Sequence, residues 1–292
     1  MYDIKKVSLN EVEDGNNVTL NTNNIRSNGT LPKDYYDKDR EVSTDKWINL
    51  LHPGKCKTMT IEKSDLDWMY RAHNFDRLRT GWLRTYRDEF DATCEKYRST
   101  FENLLVGGRW FARTRQYSLK YSSYFQALSA NDIDVLIKGL VSYVPGHSGI
   151  EADDQFNDKI IYFLPWLDLD PDLEFRIFVR NSRITAISQQ KLFRVNNWLA
   201  GMSDLELNRL IEKILSSFYT EVQTKITSFS DYVLDFTFLR TGDGLEAYPI
   251  ELNQFGQEYG AGSALYEWKV DHELLYGETD KIGFRFIDRQ EE

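Results

Sequence analysis

Three side chains with hard oxygen donors, Asp235, Glu251 and Asn253, recur at hairpin spacing near the end of this chain. The segment reads Asp231-Tyr-Val-Leu-Asp235-Phe-Thr-Phe238, then Thr241-Gly-Asp-Gly244, then Ala247-Tyr-Pro-Ile-Glu251-Leu-Asn253. Two alternating runs around a Gly-containing turn predict a β-hairpin. Folded symmetrically about Asp243, the hairpin puts Asp235 opposite Glu251, and Asn253, two residues on, points to the same face. The other face carries Tyr232, Leu234, Phe236, Phe238, Tyr248, Ile250 and Leu252 and reads as core. Two carboxylates and an amide on one face form the donor type that Mg²⁺ accepts beside nucleotide phosphates. A plain hairpin with a wet acidic face would show the same alternation.

Cations precede this acidic hairpin on successive predicted strands: Arg113, Arg115, Lys120, Arg176 and Arg180. Taken singly each reads as a surface charge, but together with the acids they suit a metal-bound triphosphate, whose charge needs protein cations and a bridging divalent ion. No Walker A sequence, dinucleotide-binding glycine motif, Gly-x-Ser-x-Gly elbow or kinase catalytic loop occurs. No catalytic nucleophile or base is therefore assigned.

The elements that must position these groups follow from periodicity and turn residues. Residues 1–45 are polar and rich in Asn and Asp, an extension flexible or wrapped on the body. Residues 62–105 predict helix, with Leu66, Met69, Tyr70 and His73, then Phe90, Cys94, Tyr97 and Phe101, at helical spacing. His73 on such a face reads as a structural histidine. Strand is predicted at 110–115, helix at 122–141 with Asn131-Asp132 interrupting it or capping a second one, and a buried strand at Lys159–Leu164 ended by Pro165-Trp166. A second hairpin covers 173–189; a two-residue turn at Asn181-Ser182 puts Gln189 opposite Glu174 and Ile187 opposite Arg176. Residues 203–225 form an amphipathic helix with Ser203 as N-cap. The tail beyond 271 is charged. The order is α+β.

Composition sets the bounds. With 41% hydrophobic and 14% aromatic residues in 292, the chain can bury a substantial core. The net charge of −10 argues against general phosphate-backbone binding of nucleic acid. Cys56 and Cys94, the only cysteines, read as free thiols. No apolar run reaches the roughly 18 residues needed to span a membrane, so no membrane partner is expected and a cytoplasmic location is. The sequons at Asn17-Val-Thr19 and Asn28-Gly-Thr30 read as coincidences of an Asn-rich stretch.

Several of these segments together resemble the cell division cycle protein 123 family. The resemblance is carried by Leu169-Asp-Pro171, Glu174-Phe-Arg176-Ile-Phe-Val179, Ile184-Thr-Ala-Ile-Ser-Gln189, Val233-Leu-Asp235, Ile250-Glu-Leu-Asn253-Gln-Phe255 and Ala264-Leu-Tyr-Glu-Trp268. It is good over 159–268, weaker over 109–121, and absent before 105. It implies an ATP-grasp fold, with ATP and Mg²⁺ held between two α+β lobes. The implied division is an N-terminal extension, 1–105, polar then helical, a core at 106–270 with lobes at 106–163 and 164–270, and a charged tail at 271–292. By the same resemblance Asp235, Glu251 and Asn253 are Mg²⁺ ligands and Arg176 contacts phosphates. Leu164, Pro165 and Trp166 lie beside the adenine, and Arg113 and Lys120 are basic residues of the N-terminal lobe. Gln189, in the Ile-Ser-Gln segment, is taken with the ATP-binding set. Two departures stand out: Ser118-Leu-Lys120-Tyr121 replaces the family's Ser-Pro-Lys-Asp, and Glu251 stands where Asp is common. The implied role is assembly of the eukaryotic translation initiation factor 2 complex through its gamma subunit. The alternative is an ATP-grasp enzyme, a ligase or a phosphoryl or nucleotidyl transferase.

Overall fold

The computed structural model describes residues 1–13, 32–78, 81–144, 147–150, 157–242, 244–259 and 261–290. Both sequons, Pro145-Gly146, most of the acidic run after Gly149, Asp243 and Gly260 lie outside the described residues. Nine strands are described: β1 (Tyr2–Ser8), β2 (Lys57–Ile61), β3 (Trp110–Arg113), β4 (Lys159–Pro165), β5 (Glu174–Arg180), β6 (Arg183–Gln189), β7 (Tyr232–Thr241), β8 (Gly244–Asn253) and β9 (Ile282–Arg289). The chain divides into two units, Met1–Leu51 with Asp168–Glu292, and His52–Leu167.

That division corrects the boundaries expected from sequence. The supposed tail contains β9, which pairs parallel to β6 on one side and to β1 on the other. The start of the chain is thus a strand of the larger sheet rather than an extension. The expected N-terminal lobe, 106–163, lacks the helices that complete its core, because the smaller unit begins at His52. Parallel pairing between the two chain ends is non-local, so no local pattern announces it.

The larger unit is a six-stranded mixed sheet in the order β1-β9-β6-β5-β7-β8. β5, β6 and the first part of β7 are buried on both faces although they carry Arg176, Thr185, Ser188, Gln189 and Asp235, so these central strands are covered twice. The helix Asp204–Ser217 lies on the Phe238 face, where Lys213 Nζ sits 5.6 Å from the Phe238 ring centroid. Its expected start is found: Ser203 and Glu206 form a reciprocal capping box. The segment 255–275 covers the opposite face, where Phe255, Ala261, Tyr266, Trp268 and Leu275 cluster with Phe178, Ala186 and Val233. The face that carries Asp235 is therefore largely roofed, which sets aside the alternative of a plain wet hairpin face.

Gly283 shows how closely that roof fits. A Cβ there would stand 2.6 Å from the Tyr266 hydroxyl and 2.7 Å from Leu274 Cδ2. Gly283→Ala is expected to destabilise by about 1–3 kcal/mol through overpacking. A thermal melt reads this as a clear drop in midpoint, and an unchanged midpoint would contradict the packing.

The smaller unit is a three-stranded antiparallel sheet, β2-β4-β3. The helices Lys63–Arg77, Arg87–Leu105 and Ile133–Val141 bury Leu66, Met69, Phe90, Phe101, Leu136 and Leu140 in one core with Ile161 and Phe163 of the sheet. Of the two readings of 122–141, the structure has the second: a helix begins at Ile133 with Asp132 at its N-cap position, and Asp132 Oδ2 accepts from both the backbone N–H and the hydroxyl of Ser129, closing a local turn before it. His73 is structural, as expected: Nδ1 lies 3.0 Å from the Val141 carbonyl, and burial pushes its pKa down. Cys56 and Cys94 are free thiols, and burial pushes Cys94 up to about 11.

Candidate functional site

Two β-bulges decide which side chains meet on the larger sheet. In the β7–β8 hairpin the pairing closes at Thr241↔Gly244, one residue tighter than a fold about Asp243. A bulge between Asp235 and Phe236 then restores the count, so Asp235 faces Glu251 as predicted. In the β5–β6 hairpin the expected two-residue turn is present, with Asn181 and Ser182 at φ 50° and 59°. A bulge between Phe178 and Val179 shifts everything beyond it by one. Ser188, not Ile187, faces Arg176, and Gln189 faces Phe175 rather than Glu174. A one-residue slip moves a side chain to the other face of a sheet.

The resulting register draws a polar row straight across six strands: Glu251, Asp235, Arg176, Ser188, Arg285 and Lys5. Cross-strand neighbours share a face, so these groups lie side by side. Arg176 Nε donates to Asp235 Oδ1 at 2.8 Å and its Nη2 to Oδ2 at 2.9 Å, a two-pronged pair in which both side chains are at most 10% exposed. Arg176 Nη1 donates to the Gly262 carbonyl at 2.9 Å, and Gln190 Nε2 to Asp235 Oδ2 at 3.3 Å. Further along the row, the Ser188 hydroxyl accepts from Leu265 N–H at 3.2 Å. Arg285 holds Asp271 through both oxygens, donates to the Leu265 carbonyl and lies 4.2 Å from the Tyr266 ring centroid. The polar row thus fastens the covering segment 262–271.

Asn253 occupies the next row, opposite Val233 on the same strand face as Glu251. Its amide nitrogen is buried and has no hydrogen-bond partner. Rotating the amide by half a turn would present the carbonyl oxygen there instead, the atom a cation would take as ligand. Among the described residues no group of three His, Cys, Asp or Glu side chains could hold a metal. The candidate set is different in kind, two carboxylates and an amide, and its donor chemistry fits Mg²⁺.

The remaining predicted residues fall into three situations. Gln189 does not join Arg176. Its amide nitrogen donates to the Lys191 and Arg194 carbonyls and its oxygen accepts from Ile287 N–H, tying the 190–195 loop to β9. Arg180 is paired with Asp231 at 2.8 Å and stacks over Phe255 and Tyr276. The others belong to the smaller unit. Arg113 is buried at the end of β3, opposite Tyr162, while Lys120 is exposed on the single turn Leu119–Tyr121. Leu164 and Pro165 pair with Phe111 and Trp110, and Trp166 N–H donates to the Arg109 carbonyl at 2.8 Å. β2 stops opposite Phe163, so from Leu164 onward no strand among the described residues lies beside that edge of β4. Trp166 packs with Phe125 and Phe111 at centroid distances of 5.4 and 6.5 Å.

Gln190, Ser188, Arg285, Asp271 and the Gly262 carbonyl were missed by sequence reasoning. Only the Ser-Gln-Gln run after a strand could have pointed to the first two, and the bulge that aims them leaves no signature in residue types.

The family profile D123 matches residues 144–292, about half of the chain. The chain belongs to the D123 family. Among D123-like relatives, a CDC123-like protein of Acanthamoeba polyphaga mimivirus is 27% identical over 228 residues, covering 76% of this chain and 64% of that protein. The translation initiation factor eIF2 assembly protein of Candida albicans is 28% identical over 169 residues, covering 49% of this chain and 46% of that protein. The chain therefore spans less than two thirds of either relative. The structure of Cdc123 from Schizosaccharomyces pombe superposes with a TM-score of 0.55 at 15% identity, covering 88% of this chain and 99% of that one. That likeness shows a shared α+β fold. The D123 match includes β5 to β9 and so the whole polar row except Lys5.

Proposed function

We propose that this D123-family chain binds ATP with Mg²⁺ on the ATP-grasp plan and acts as an assembly factor for eukaryotic translation initiation factor 2. The observation that carries the nucleotide reading is the register of Asp235 against both Glu251 and Arg176, with the orphaned Asn253 amide one row away. Asp235, Glu251 and Asn253 hold the metal in this reading. Bound there, Mg²⁺ supplies neutralising charge to the phosphates. In the smaller unit the same reading assigns Arg113 and Lys120 to phosphate, and Leu164, Pro165 and Trp166, at the strand edge beyond the end of β2, to the adenine. Gln189 is left out, because its amide is engaged at both ends.

The assembly reading is supported by the names of three fungal relatives, each an eIF2 assembly protein. The partner it names is the gamma subunit, and the location the cytoplasm. No helix among the described residues is long and apolar enough to cross a membrane. The test is a pull-down of purified gamma subunit by the full chain, with and without ATP and Mg²⁺. Retention of the subunit, increased by ATP with Mg²⁺, is the expected result. No retention in either condition would overturn the assembly role.

A further inference from the structure

The stated role for Arg176, a phosphate contact, is incomplete in one respect that the geometry supplies. Its guanidinium already fills the place beside Asp235 where positive charge belongs. A carboxylate offers about four lone-pair positions, and on Asp235 three are taken, two by Arg176 and one by Gln190. The carboxylate is 3% exposed, so little water screens what sits next to it. A divalent ion placed on Asp235 alone would meet the guanidinium as a like charge across the same two oxygens.

We propose that Arg176 is the resident counter-cation of the metal site, so that Asp235 takes a divalent ion together with a polyanionic phosphate group and not alone. This rests on the proposed Mg²⁺ site and adds its order of assembly. The phosphates draw the guanidinium toward themselves, which frees Asp235 lone pairs at the moment the metal needs them. The guanidinium lies between Asp235 and the covering segment, which it meets at the Gly262 carbonyl. Without phosphate, the arginine keeps a buried carboxylate paired and the site closed to stray cations. Arg176 is thus a positioning residue whose removal opens the empty site rather than only weakening the loaded one.

The experiment is Mn²⁺ binding to the full chain without nucleotide at pH 8, followed by electron paramagnetic resonance, then repeated with ATP. Wild type is expected to bind free Mn²⁺ weakly and to bind it firmly with ATP. Arg176→Gln is expected to tighten nucleotide-free Mn²⁺ binding on the order of tenfold or more, through loss of a like charge at contact range, while weakening ATP binding. Arg176→Met carries the same expectation, and Arg176→Lys, which keeps the charge, stays close to wild type. A purely structural arginine would give losses only. The inference is overturned if wild type binds Mn²⁺ equally well without ATP, or if neither neutral variant gains affinity. Asp235→Asn in the same series separates the two levels: if it leaves ATP-dependent Mn²⁺ binding unchanged, the metal assignment itself fails.

Discussion

Asp235→Ala is expected to abolish Mg²⁺-dependent ATP binding and also to lower stability by about 3–5 kcal/mol, the usual cost of breaking a buried ion pair from one side. Judged from the hairpin alone, this substitution would look harmless to the fold, since the acidic face reads as wet. The structure reverses that expectation. Asp235 is 3% exposed and receives both prongs of Arg176. Removing the carboxylate takes its two-pronged partner from a guanidinium in a site with little water. The stability loss and the binding loss have different origins and separate experimentally. A double variant, Asp235→Leu with Arg176→Met, removes both charges and should recover most of the stability, because well-packed apolar replacements for a buried pair are often neutral. It should recover no ATP binding. Urea unfolding and calorimetric titration on the same proteins read the two effects. A single variant of wild-type stability would mean that Asp235 is not a buried charge partner.

Trp268→Ala is expected to cost a further about 3–5 kcal/mol on its own, the range for truncating a large buried aromatic. Trp268 is fully buried and meets Phe178, Phe255 and Tyr276 edge-on at 5.4, 5.2 and 6.1 Å between ring centroids. It is the centre of the cluster that seats the covering segment on the sheet, so the cavity it leaves has walls from both. The covering segment also carries Gly262, the third contact of Arg176. Loosening it should therefore reduce ATP affinity as well as the urea midpoint. A midpoint within about 1 kcal/mol of wild type would show that this cluster contributes less than its burial implies.

What was legible in the sequence was local. Asn181-Ser182 and the glycines around Asp243 announce two turns, and alternation on either side gives four strands that the structure contains. Ser203 with Glu206 announces a helix start, and the capping box is there. The facing of Asp235 and Glu251 was also read correctly, though through two offsets that cancel, a tighter turn and a bulge. Where only one offset occurs, at Phe178/Val179, the same reasoning put Ile187 beside Arg176 and Gln189 on the wrong face. A bulge adds one residue without a residue-type signal strong enough to mark it. β1 and β9 were missed for another reason. β1 is described beside β9 alone, nearly the full chain length away, and β9 adds only β6, about a hundred residues back, so neither strand belongs to a local hairpin that turn residues could announce. Their pairing also explains why the expected extension and tail are not separate parts: both ends of the chain are needed to complete one sheet. Arg176 was singled out by its residue type within the second hairpin, but its contact with Asp235 follows from adjacent antiparallel strands that sequence spacing does not order.

The most direct test of the central claim is isothermal titration of ATP into the wild-type chain with and without Mg²⁺, set beside Asn253→Ala, a substitution that removes a proposed ligand without unpairing a buried charge. The account predicts heat of binding that requires Mg²⁺ in wild type and is lost in the variant, with an unchanged unfolding midpoint. Binding of equal affinity in both proteins, or none in wild type under either condition, would contradict it.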